Sequence, residues 1–289
     1  MRSLLFVPGD SPKKLDKGMQ SGADALLLDL EDSIAPPNKA SARATTVAFL
    51  KEARGAKDRP RLYVRINGLT TGLADDDINA VTAGHPDGIM LPKAEGGAAV
   101  VHCDAKITAH EAIHGLPDGS LDIIAIATET AQALFLAGTY VGASKRLKGL
   151  TWGAEDLSVE LGAEANRDSD GNFLAPYQLA RTLCLAGAAA AQVQPIDTVY
   201  VDFRNDAGLR RECEEARRDG FSGKMAIHPA QVTAINEAFT PTADAIKRAE
   251  AVIAAFAENP GAGTIGIGGV MYDRPHLERA RRLLAQAKR

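Results

Sequence analysis

The chain contains the segment Ile123-Ile124-Ala125-Ile126-Ala127-Thr128-Glu129-Thr130, in which five apolar residues precede a threonine and a carboxylate. A second apolar run, Leu150-Thr151-Trp152, leads into Gly153-Ala154-Glu155-Asp156-Leu157. Short continuous apolar runs are typical of strands that are buried on both faces, as in parallel sheets. In a parallel barrel the carboxyl ends of the strands converge on one mouth, where catalysis is usually placed. The two segments therefore predict strands that deliver carboxylates to a common site for a hard metal ion.

Further apolar runs recur along the chain, with stretches of helical composition between them. We predict eight strands, at residues 3–7, 25–30, 62–66, 88–91, 123–127, 149–152, 198–201 and 224–227. Helices are predicted between them, for example over residues 39–53 and 175–192. Alternating strands and helices imply parallel pairing, because parallel strands need a crossover connection. Eight such units in about 230 residues predict a (β/α)8 TIM barrel, and a doubly wound open sheet is the alternative.

The last part of the chain is an extension that a barrel does not need. We therefore predict a catalytic TIM barrel at residues 1–240 and a helical extension at residues 241–289. The extension contains a predicted helix at 243–257, a Gly-rich loop at 258–269 with little intrinsic order, and a final helix at 275–288. We expect it to be a lid, an oligomerisation arm or both. A simple packing helix is the alternative.

The composition excludes several classes of protein. The 289 residues are 45% hydrophobic and 24% charged, as in an ordinary globular protein. The net charge of -4 gives no global basic footprint for nucleic acid. Cys103, Cys184 and Cys213 are odd in number and lack metal-ligand spacing, which favours a reducing compartment. No segment approaches about 18 consecutive apolar residues. We therefore expect a cytoplasmic protein that binds neither nucleic acid nor a membrane.

Charged residues recur where the predicted strands end. They are Asp29, Glu31 and Asp32 after strand two, Arg65 after strand three, Lys93 after strand four, Glu129 after strand five, and Glu155 and Asp156 after strand six. Carboxylates are the oxygen ligands that a hard metal ion prefers, and one or two of them suffice when water and substrate fill the other positions. Salt-bridged surface carboxylates are the alternative. Because Glu155 precedes Asp156 on an expected extended strand end, we predict that their side chains point to opposite sides.

Five segments follow one another along the chain: Arg2-Ser3-Leu4-Leu5-Phe6-Val7-Pro8-Gly9, Asp29-Leu30-Glu31-Asp32-Ser33, Val64-Arg65-Ile66-Asn67, Leu91-Pro92-Lys93 and Trp152-Gly153-Ala154-Glu155-Asp156-Leu157. In this order they resemble the citrate lyase β-subunit-like proteins of the HpcH/HpaI aldolase and citrate lyase family. The resemblance implies a TIM barrel and bound Mg²⁺, with Mn²⁺ as an alternative. It also implies carbon–carbon cleavage of an acyl-CoA or a related 3-hydroxy acid.

The resemblance assigns roles to residues at the strand ends. Glu129 and Asp156 match the metal ligands, and Arg65 matches the substrate arginine, whose planar fork suits a carboxylate or an enolate oxygen. Glu129 is then both catalytic and substrate-binding, and Gly153 and Ala154 join it in binding substrate. An arginine that bridges layers of the barrel is the alternative for Arg65. The supporting residues are Asp29, Glu31, Asp32, Lys93 and Glu155.

The first turn after strand one is the expected seat for CoA. Arg2, Lys13 and Lys14 lie near this turn in the sequence, which precedes a predicted helix N-terminus, a natural anion seat. The resemblance places the nucleotide end of CoA here. A solvated helix face is the alternative. His228, after strand eight, is expected to be a structural wall of the site.

The segment Gly269-Val270-Met271-Tyr272-Asp273-Arg274-Pro275-His276 resembles the family's C-terminal motif. The resemblance implies that Asp273 is a catalytic general acid or base that closes over the site of a neighbouring subunit. It therefore implies a homo-oligomer, a trimer or a multiple of a trimer. An N-cap for the final helix is the alternative, and the two roles are compatible.

The sequence therefore predicts a Mg²⁺-dependent lyase. It would cleave a 3-hydroxyacyl-CoA of the malyl-CoA or citramalyl-CoA type to a CoA thioester and a 2-oxo acid. Three alternatives stay open: a malyl-CoA thioesterase, a citrate lyase β subunit that acts on an acyl-carrier-protein thioester, and a non-catalytic oligomeric scaffold.

Overall fold

The computed structural model describes residues 1–287, and its main feature is a closed barrel of parallel strands in sequence order. The barrel strands are β1 (Ser3–Pro8), β2 (Ala25–Asp29), β3 (Arg61–Arg65), β4 (Gly88–Leu91), β5 (Asp122–Ile126), β6 (Leu147–Thr151), β7 (Gln194–Asp197) and β8 (Gly223–Ala226). β1 pairs in parallel with both β2 and β8, so the sheet closes on itself. The predicted (β/α)8 TIM barrel is confirmed, and the open-sheet alternative is wrong.

Helices connect the strands and continue beyond the last one. They are α1 (Pro12–Met19), α2 (Lys39–Ala53), α3 (Ala74–Thr82), α4 (Gly96–Ile113), α5 (Ala131–Leu136), α6 (Ala154–Glu160), α7 (Ala175–Ala191), α8 (Asp206–Asp219), α9 (Val232–Phe239), α10 (Ala243–Glu258) and α11 (Arg274–Ala287). Short 3-10 helices lie at Pro36–Asn38, Ala137–Tyr140 and Pro229–Gln231. The predicted helices at 39–53 and 175–192 correspond to α2 and α7. Within the described residues, none of the helices has the length and apolar character that crossing a membrane requires.

Inward-facing apolar side chains fill the barrel. They are Leu4, Ala25, Leu27, Tyr63, Met90, Ile124, Ile126, Ile196 and Met225. Because successive side chains of a strand point to opposite faces, Asp29 shares the inner face of β2 with Leu27, and Arg65 shares the inner face of β3 with Tyr63. Asp29 and Arg65 are also register partners on adjacent strands. The apolar interior therefore gives way to a charged layer at the carboxyl ends of the strands.

The prediction of strand seven at residues 198–201 is wrong, because β7 lies earlier, at Gln194–Asp197. The β-branched and aromatic residues at 198–201 have a high strand propensity. This propensity reflects how well such side chains pack on a half-buried sheet, and it does not show that the backbone pairs with another strand. The actual strand, Gln194-Pro195-Ile196-Asp197, has no apolar run, because it begins with a polar residue and ends with a charged one. Asp197 is nevertheless fully buried, because it pairs with Lys224 on β8. Thr198 and Val199 instead lie at the mouth of the barrel.

The residues from Glu237 onward form a second compact unit, close to the predicted boundary at residue 240. In this unit α10 and α11 pack together through a small apolar core that includes Val252, Phe256 and Leu277. The predicted final helix corresponds to α11, except for Lys288, which lies outside the described residues. The role of this unit as a lid stays a prediction.

Part of the segment predicted as a Gly-rich loop is a β-hairpin. β9 (Thr264–Ile267) pairs antiparallel with β10 (Val270–Asp273). The turn between them is Gly268-Gly269, whose φ angles of 58° and 81° are left-handed, as a two-residue type I′ turn requires. The glycines are therefore hairpin residues here, and Ile265 and Ile267 pack against the core of the second unit.

A buried charged cluster lies on the outer face of β7 and β8. The Lys224 ammonium donates to Asp197 Oδ2 at 2.8 Å and to Glu212 Oε1 of α8 at 2.7 Å. Asp197 also accepts a hydrogen bond from Trp152 Nε1 at 2.8 Å. Burial by itself lowers the pKa of Lys224, but the two carboxylates raise it above its ordinary value. The cluster is thus an ionised network that joins β6, β7, β8 and α8.

Replacement of Lys224 by methionine should strongly destabilise the barrel, because Asp197 and Glu212 would lose their buried cation. We expect Lys224→Met to lower the free energy of unfolding by about 3–5 kcal/mol, measured by urea denaturation. The control is Lys148→Met, which removes an exposed ammonium 4.0 Å from Asp122 and should cost no more than about 1 kcal/mol. Equal losses in the two variants would contradict this role of the cluster.

Candidate active site

A cavity of about 310 Å³ opens at the carboxyl ends of the barrel strands. Its charged lining residues are Asp29, Arg65, Glu129, Glu155 and Asp156, and its large apolar lining residues are Phe6, Ile126, Trp152, Val199, Met225 and Ile227. Gly153 and Ala154, which the sequence assigned to substrate binding, also line it. The structure therefore brings the predicted metal-binding, substrate-binding and arginine positions into one cavity.

Asp29 holds Arg65 by a two-pronged ion pair. Arg65 Nε and Nη2 donate to the two oxygens of Asp29, each at 2.7 Å. Burial by itself raises the pKa of Asp29, but the Arg65 guanidinium, Ser33 and the backbone amide of Glu31 hold it below its ordinary value. The guanidinium also lies 4.7 Å from the centre of the Phe6 ring. These contacts fix the plane of the guanidinium at the cavity wall.

Glu31 links Arg65 to Lys93. Its carboxylate accepts a hydrogen bond from Lys93 Nζ at 2.6 Å and lies 3.0 Å from Arg65 Nη1. The second contact is an ion pair without hydrogen-bond geometry, so Glu31 Oε2 accepts no hydrogen bond from the described residues. Burial raises the pKa of Glu31 against the opposing effect of both cations. Asp32 is more exposed and lies at the edge of the group, 3.7 Å from Lys93 Nζ.

Glu129 is a buried carboxylate of the cavity. Burial, together with the charge of Asp156, raises its pKa to about 8. Its Oε2 accepts a hydrogen bond from the backbone amide of Lys93 at 2.5 Å. A Cβ atom at Gly153 would lie only 2.7 Å from Glu129 Cγ, so the absence of a side chain there admits the carboxylate. Lys93 has a left-handed φ of 50°, which for a residue with a side chain costs about 1–2 kcal/mol.

Glu155 and Asp156 lie on the first turn of α6, so the prediction that they occupy an extended strand end is wrong. Gly153 ends the extended segment, and the helix then turns the two side chains in different directions. Asp156 Oδ1 lies 3.2 Å from Lys93 Nζ, whereas exposed Glu155 accepts a hydrogen bond from Asn166 Nδ2. The two side chains therefore point in different directions because they lie on a helix. Asp156 faces Lys93, and Glu155 contacts the neighbouring loop.

The charges around the cavity fit a divalent cation. Five carboxylates, those of Asp29, Glu31, Asp32, Glu129 and Asp156, surround two cations, Arg65 and Lys93. Burial is the main cause of the raised pKa of Glu129, and the neighbouring charge of Asp156 adds to it. In residues 1–287, no three His, Cys, Asp or Glu side chains are grouped as metal ligands. Two carboxylates fit Mg²⁺, which keeps several positions for water and substrate.

The residues predicted to bind CoA are divided between the two ends of the barrel. Lys13 and Lys14 are exposed in the first turn of α1, which begins at the mouth. Arg2 precedes β1 and therefore lies at the opposite end, where its guanidinium pairs with Asp24 at 2.7 Å. The structure thus keeps Lys13 and Lys14 near the site and removes Arg2 from it.

Asp273 is the last residue of β10 in the second unit. Its carboxylate forms a short contact with His276 Nδ1, and hydrogen bonding to His276 lowers its pKa. The His276 backbone amide also points to Asp273 Oδ1 at 3.4 Å, as in the predicted capping role. His228, which is expected from the sequence to be a structural wall of the site, lies outside the cavity lining and stacks on Phe203 with ring centres 4.7 Å apart.

Sequence reasoning missed several residues that shape the cavity. The Phe6 ring packs against the guanidinium of Arg65, and Val199 is part of the apolar wall of the cavity. The strand alternation of β1 could have revealed Phe6, because it shares the inner face with Leu4. Lys39 was also missed, although its ammonium donates to the carbonyl oxygens of Leu30 and Glu31. A lone lysine at the start of a helix gives no sequence signal of such a contact.

Comparison with known proteins adds a family match. The sequence model described as HpcH/HpaI aldolase/citrate lyase matches residues 2–229. A (3S)-malyl-CoA thioesterase of Cereibacter sphaeroides is 36% identical over 99% of this chain and 94% of the relative. The citrate lyase subunit beta of Leuconostoc mesenteroides subsp. cremoris is 34% identical over 99% and 93%, respectively. The mitochondrial citramalyl-CoA lyase of Rattus norvegicus is 33% identical over 99% and 86%.

A solved structure resembles the whole chain. It is the protein CitE from Mycobacterium tuberculosis in complex with magnesium, acetoacetate and coenzyme A. The superposition has a TM-score of 0.80 at 30% identity and covers 100% of both chains. This similarity extends through both the barrel and the C-terminal unit.

The packing of Gly153 against Glu129 can be tested by adding one methyl group. Gly153→Ala would place a Cβ 2.7 Å from Glu129 Cγ and 3.0 Å from Oε1, so the carboxylate must move. We expect this variant to weaken Mg²⁺ binding, measured by calorimetry, by about tenfold or more, because metal sites tolerate little displacement of their ligands. Gly138→Ala is the control, since apart from its neighbours in the chain none of the described residues lies within 4 Å of the Cβ it would add. Similar Mg²⁺ affinity in both variants would argue against Glu129 as a ligand.

Proposed function

The chain belongs to the HpcH/HpaI aldolase/citrate lyase family, and we propose that it is a Mg²⁺-dependent carbon–carbon lyase. Its substrate would be a 3-hydroxyacyl-CoA of the malyl-CoA or citramalyl-CoA type. The products would be a CoA thioester and a 2-oxo acid. The observation that carries the proposal is the meeting of Glu129, Asp156 and Arg65 in one cavity. These residues provide metal-binding carboxylates and a fixed cation, which such a cleavage requires.

Glu129 and Asp156 are the residues that would hold Mg²⁺. When bound, the ion supplies Lewis acidity to an oxygen of the 2-oxo acid. Lys93 keeps both carboxylates in place, because its backbone amide donates to Glu129 and its ammonium lies 3.2 Å from Asp156. Gly153 leaves room for the Glu129 carboxylate. The magnesium named in the Mycobacterium tuberculosis structure supports this assignment.

Arg65 would stabilise negative charge on the substrate. In the cleavage direction a general base, the role proposed below for Asp273, would take the proton of the hydroxyl oxygen. The O–H electron pair would form the carbonyl of the 2-oxo acid as the carbon–carbon bond breaks, and the electron pair of that bond would move into the thioester as an enolate. A guanidinium whose orientation is fixed before the reaction can stabilise such a charge without reorganising. Asp29 holds Arg65 through Nε and Nη2, so Nη1 is the nitrogen that Asp29 leaves for other contacts. Lysine would not reproduce this planar arrangement.

Asp273 would handle the proton at the enolate carbon. Its pKa is lowered by hydrogen bonding to His276, so at neutral pH the side chain is a carboxylate. In condensation it can accept the proton of the thioester α-carbon directly, and in cleavage it must first take up the proton that it returns. We propose, as the family resemblance implies, that Asp273 serves the site of a neighbouring copy in a homo-oligomer.

The exposed turn before α1 is the proposed seat for the phosphates of CoA. Lys13 and Lys14 lie in the first turn of this helix, where backbone amides and the helix dipole favour anions. Arg2 takes no part in the proposed CoA seat, because it lies at the other end of β1 and pairs with Asp24. The coenzyme A named in the Mycobacterium tuberculosis structure supports a CoA-dependent reaction.

Two neighbouring functions have support among the relatives. The malyl-CoA thioesterase of Cereibacter sphaeroides favours hydrolysis, in which the same cavity would position water. The citrate lyase subunit beta favours an acyl-carrier-protein thioester as substrate. The products separate these functions, since a thioesterase releases malate and CoA without any 2-oxo acid. Acyl-carrier-protein thioesters can be assayed beside the CoA thioesters.

The proposed reaction is tested with a panel of 3-hydroxyacyl-CoA thioesters in the presence of Mg²⁺. We expect release of glyoxylate from malyl-CoA or pyruvate from citramalyl-CoA, together with the matching shorter CoA thioester. Removal of Mg²⁺ with EDTA should abolish the release, and added Mg²⁺ should restore it, because the ion polarises the leaving oxo acid. Free CoA and hydroxy acid without oxo acid would establish the thioesterase instead.

The role of Asp273 is tested by proton exchange. The wild-type enzyme should exchange the α-protons of a CoA thioester such as acetyl-CoA in D2O, read by mass spectrometry. Asp273→Asn should slow this exchange by about 10²–10⁴-fold, because it removes the proton acceptor. The control is Glu278→Gln on α11, the helix that follows Asp273, and it alters an exposed ion pair with Arg281. Exchange at the wild-type rate in Asp273→Asn would exclude Asp273 as the acid or base.

A further inference from the structure

We propose that Lys39 and Asn67 form a clamp that positions Arg65 for the reaction. The clamp joins the loop after β2 to the loop after β3, and neither side chain lines the cavity. Both are therefore positioning residues that act through Arg65 and Glu31. The inference rests on the proposed function, because it assigns Arg65 to the binding and cleavage of substrate.

Lys39 is the first residue of α2, an unfavourable place for a cation. Helix N-termini favour negative charge, so the position of Lys39 is not explained by helix stability. Its ammonium instead donates three hydrogen bonds, to Leu30 O at 2.7 Å, to Glu31 O at 2.6 Å and to Asn67 Oδ1 at 2.8 Å. An ammonium has three donors, and all three are thus used on the two loops.

Asn67 completes the connection from the other side. Its amide nitrogen donates to Leu30 O at 3.0 Å and to Asp77 Oδ2 at 2.6 Å. Asp77 is fully buried, accepts the Asn67 backbone amide at 2.8 Å and pairs with Arg43. Asn67 is itself 3% exposed. Its amide group is therefore fixed on α3 at one end and on the loop of β2 at the other.

The loop that Lys39 and Asn67 hold carries Glu31, and Glu31 contacts Arg65 Nη1, the nitrogen that Asp29 does not bind. Asp29 binds Nε and Nη2, whereas Nη1 lies 3.0 Å from Glu31 Oε2. Lys39 holds the backbone carbonyl of Glu31, and Asn67 follows Arg65 by two residues. Loss of either clamp residue would free the Glu31 carboxylate to shift relative to Nη1. A misplacement of about 1 Å can cost about a hundredfold in rate.

The metal ligands give the clamp a distinctive signature. Glu129 and Asp156 follow β5 and β6, and neither accepts a hydrogen bond from Lys39 or Asn67. Glu31 also contacts Lys93 Nζ, but Lys93 holds Glu129 through its backbone amide, which a shift of the Glu31 side chain leaves in place. A clamp that acts through Arg65 should therefore affect oxo-acid affinity and turnover but leave Mg²⁺ affinity in place. A general loss of structure would weaken all three. This difference separates positioning from a merely structural role.

The test uses Lys39→Met in the full-length protein, with pyruvate as the probe. The single tryptophan, Trp152, lines the cavity, so its fluorescence can report pyruvate binding in the presence of Mg²⁺. We expect the dissociation constant for pyruvate to rise and kcat for thioester cleavage to fall, each by about tenfold or more. Mg²⁺ affinity, measured by calorimetry, should stay within about twofold of the wild-type value. This change is much smaller than the loss of pyruvate affinity and of kcat that a displaced Arg65 should cause.

Two further variants keep the test decisive. Lys106→Met is the matched control, because it removes an ammonium 2.6 Å from Asp75 on the surface, and it should leave pyruvate binding unchanged. Asn67→Ala is the second clamp variant, and it serves if Lys39→Met fails to fold. If the two residues act as one unit, the double variant should lose no more than the larger single loss. Additive losses, or wild-type pyruvate affinity in both single variants, would overturn the clamp.

The failure of the clamp and the failure of the proposed function look different. If the wild-type protein binds pyruvate with Mg²⁺ but cleaves no thioester, the lyase proposal fails while the fluorescence titration still decides the clamp. If cleavage proceeds and Lys39→Met loses Mg²⁺ affinity in parallel with turnover, the clamp is overturned and the lyase proposal stands. If the wild-type protein binds no 2-oxo acid, both are overturned.

Discussion

The pairing of β1 with β8 closes the sheet, and each property of the site depends on this closure. In a closed parallel barrel the carboxyl ends of distant strands meet at one mouth. Asp29 and Arg65, register partners on the adjacent strands β2 and β3, face inward above the apolar interior, and closure lets Glu129 reach the same cavity from β5. An open sheet would separate the ends of β1 and β8. The closed topology is therefore the constraint from which the chemistry of the mouth follows.

The mouth holds more negative charge than its two cations can balance. Asp29 stays ionised because Arg65 grips both of its oxygens, whereas burial and the charge of Asp156 raise the pKa of Glu129. Lys93 joins these two halves of the group, since it contacts Glu31 with its ammonium and Glu129 with its backbone amide. The proposed Mg²⁺ would balance the negative charge of Glu129 and Asp156. The proposed clamp would hold Glu31 next to Arg65.

The accuracy of the sequence predictions followed the kind of signal available. Barrel strands with apolar runs, such as β4 and β5, were placed to within one residue. β7 was misplaced, because Asp197 breaks its apolar pattern and only the partner Lys224 makes a buried carboxylate favourable there. The predicted loop at residues 258–269 contains β9 and the turn Gly268-Gly269, because two glycines look like a chain breaker until β9 and β10 pair around them. Long-range partners decided both cases.

The sequence alone determined the eight alternating units, the family resemblance, and the positions of Glu129, Asp156 and Arg65, because local periodicity and motif order carry that information. Only the tertiary structure decided which charges meet. It placed Asp156 toward Lys93 through the first turn of α6, moved Arg2 to the far end of the barrel, and joined Lys39 to Asn67. The physical reason is that ion pairs and buried hydrogen bonds depend on distances between side chains that are far apart in the sequence.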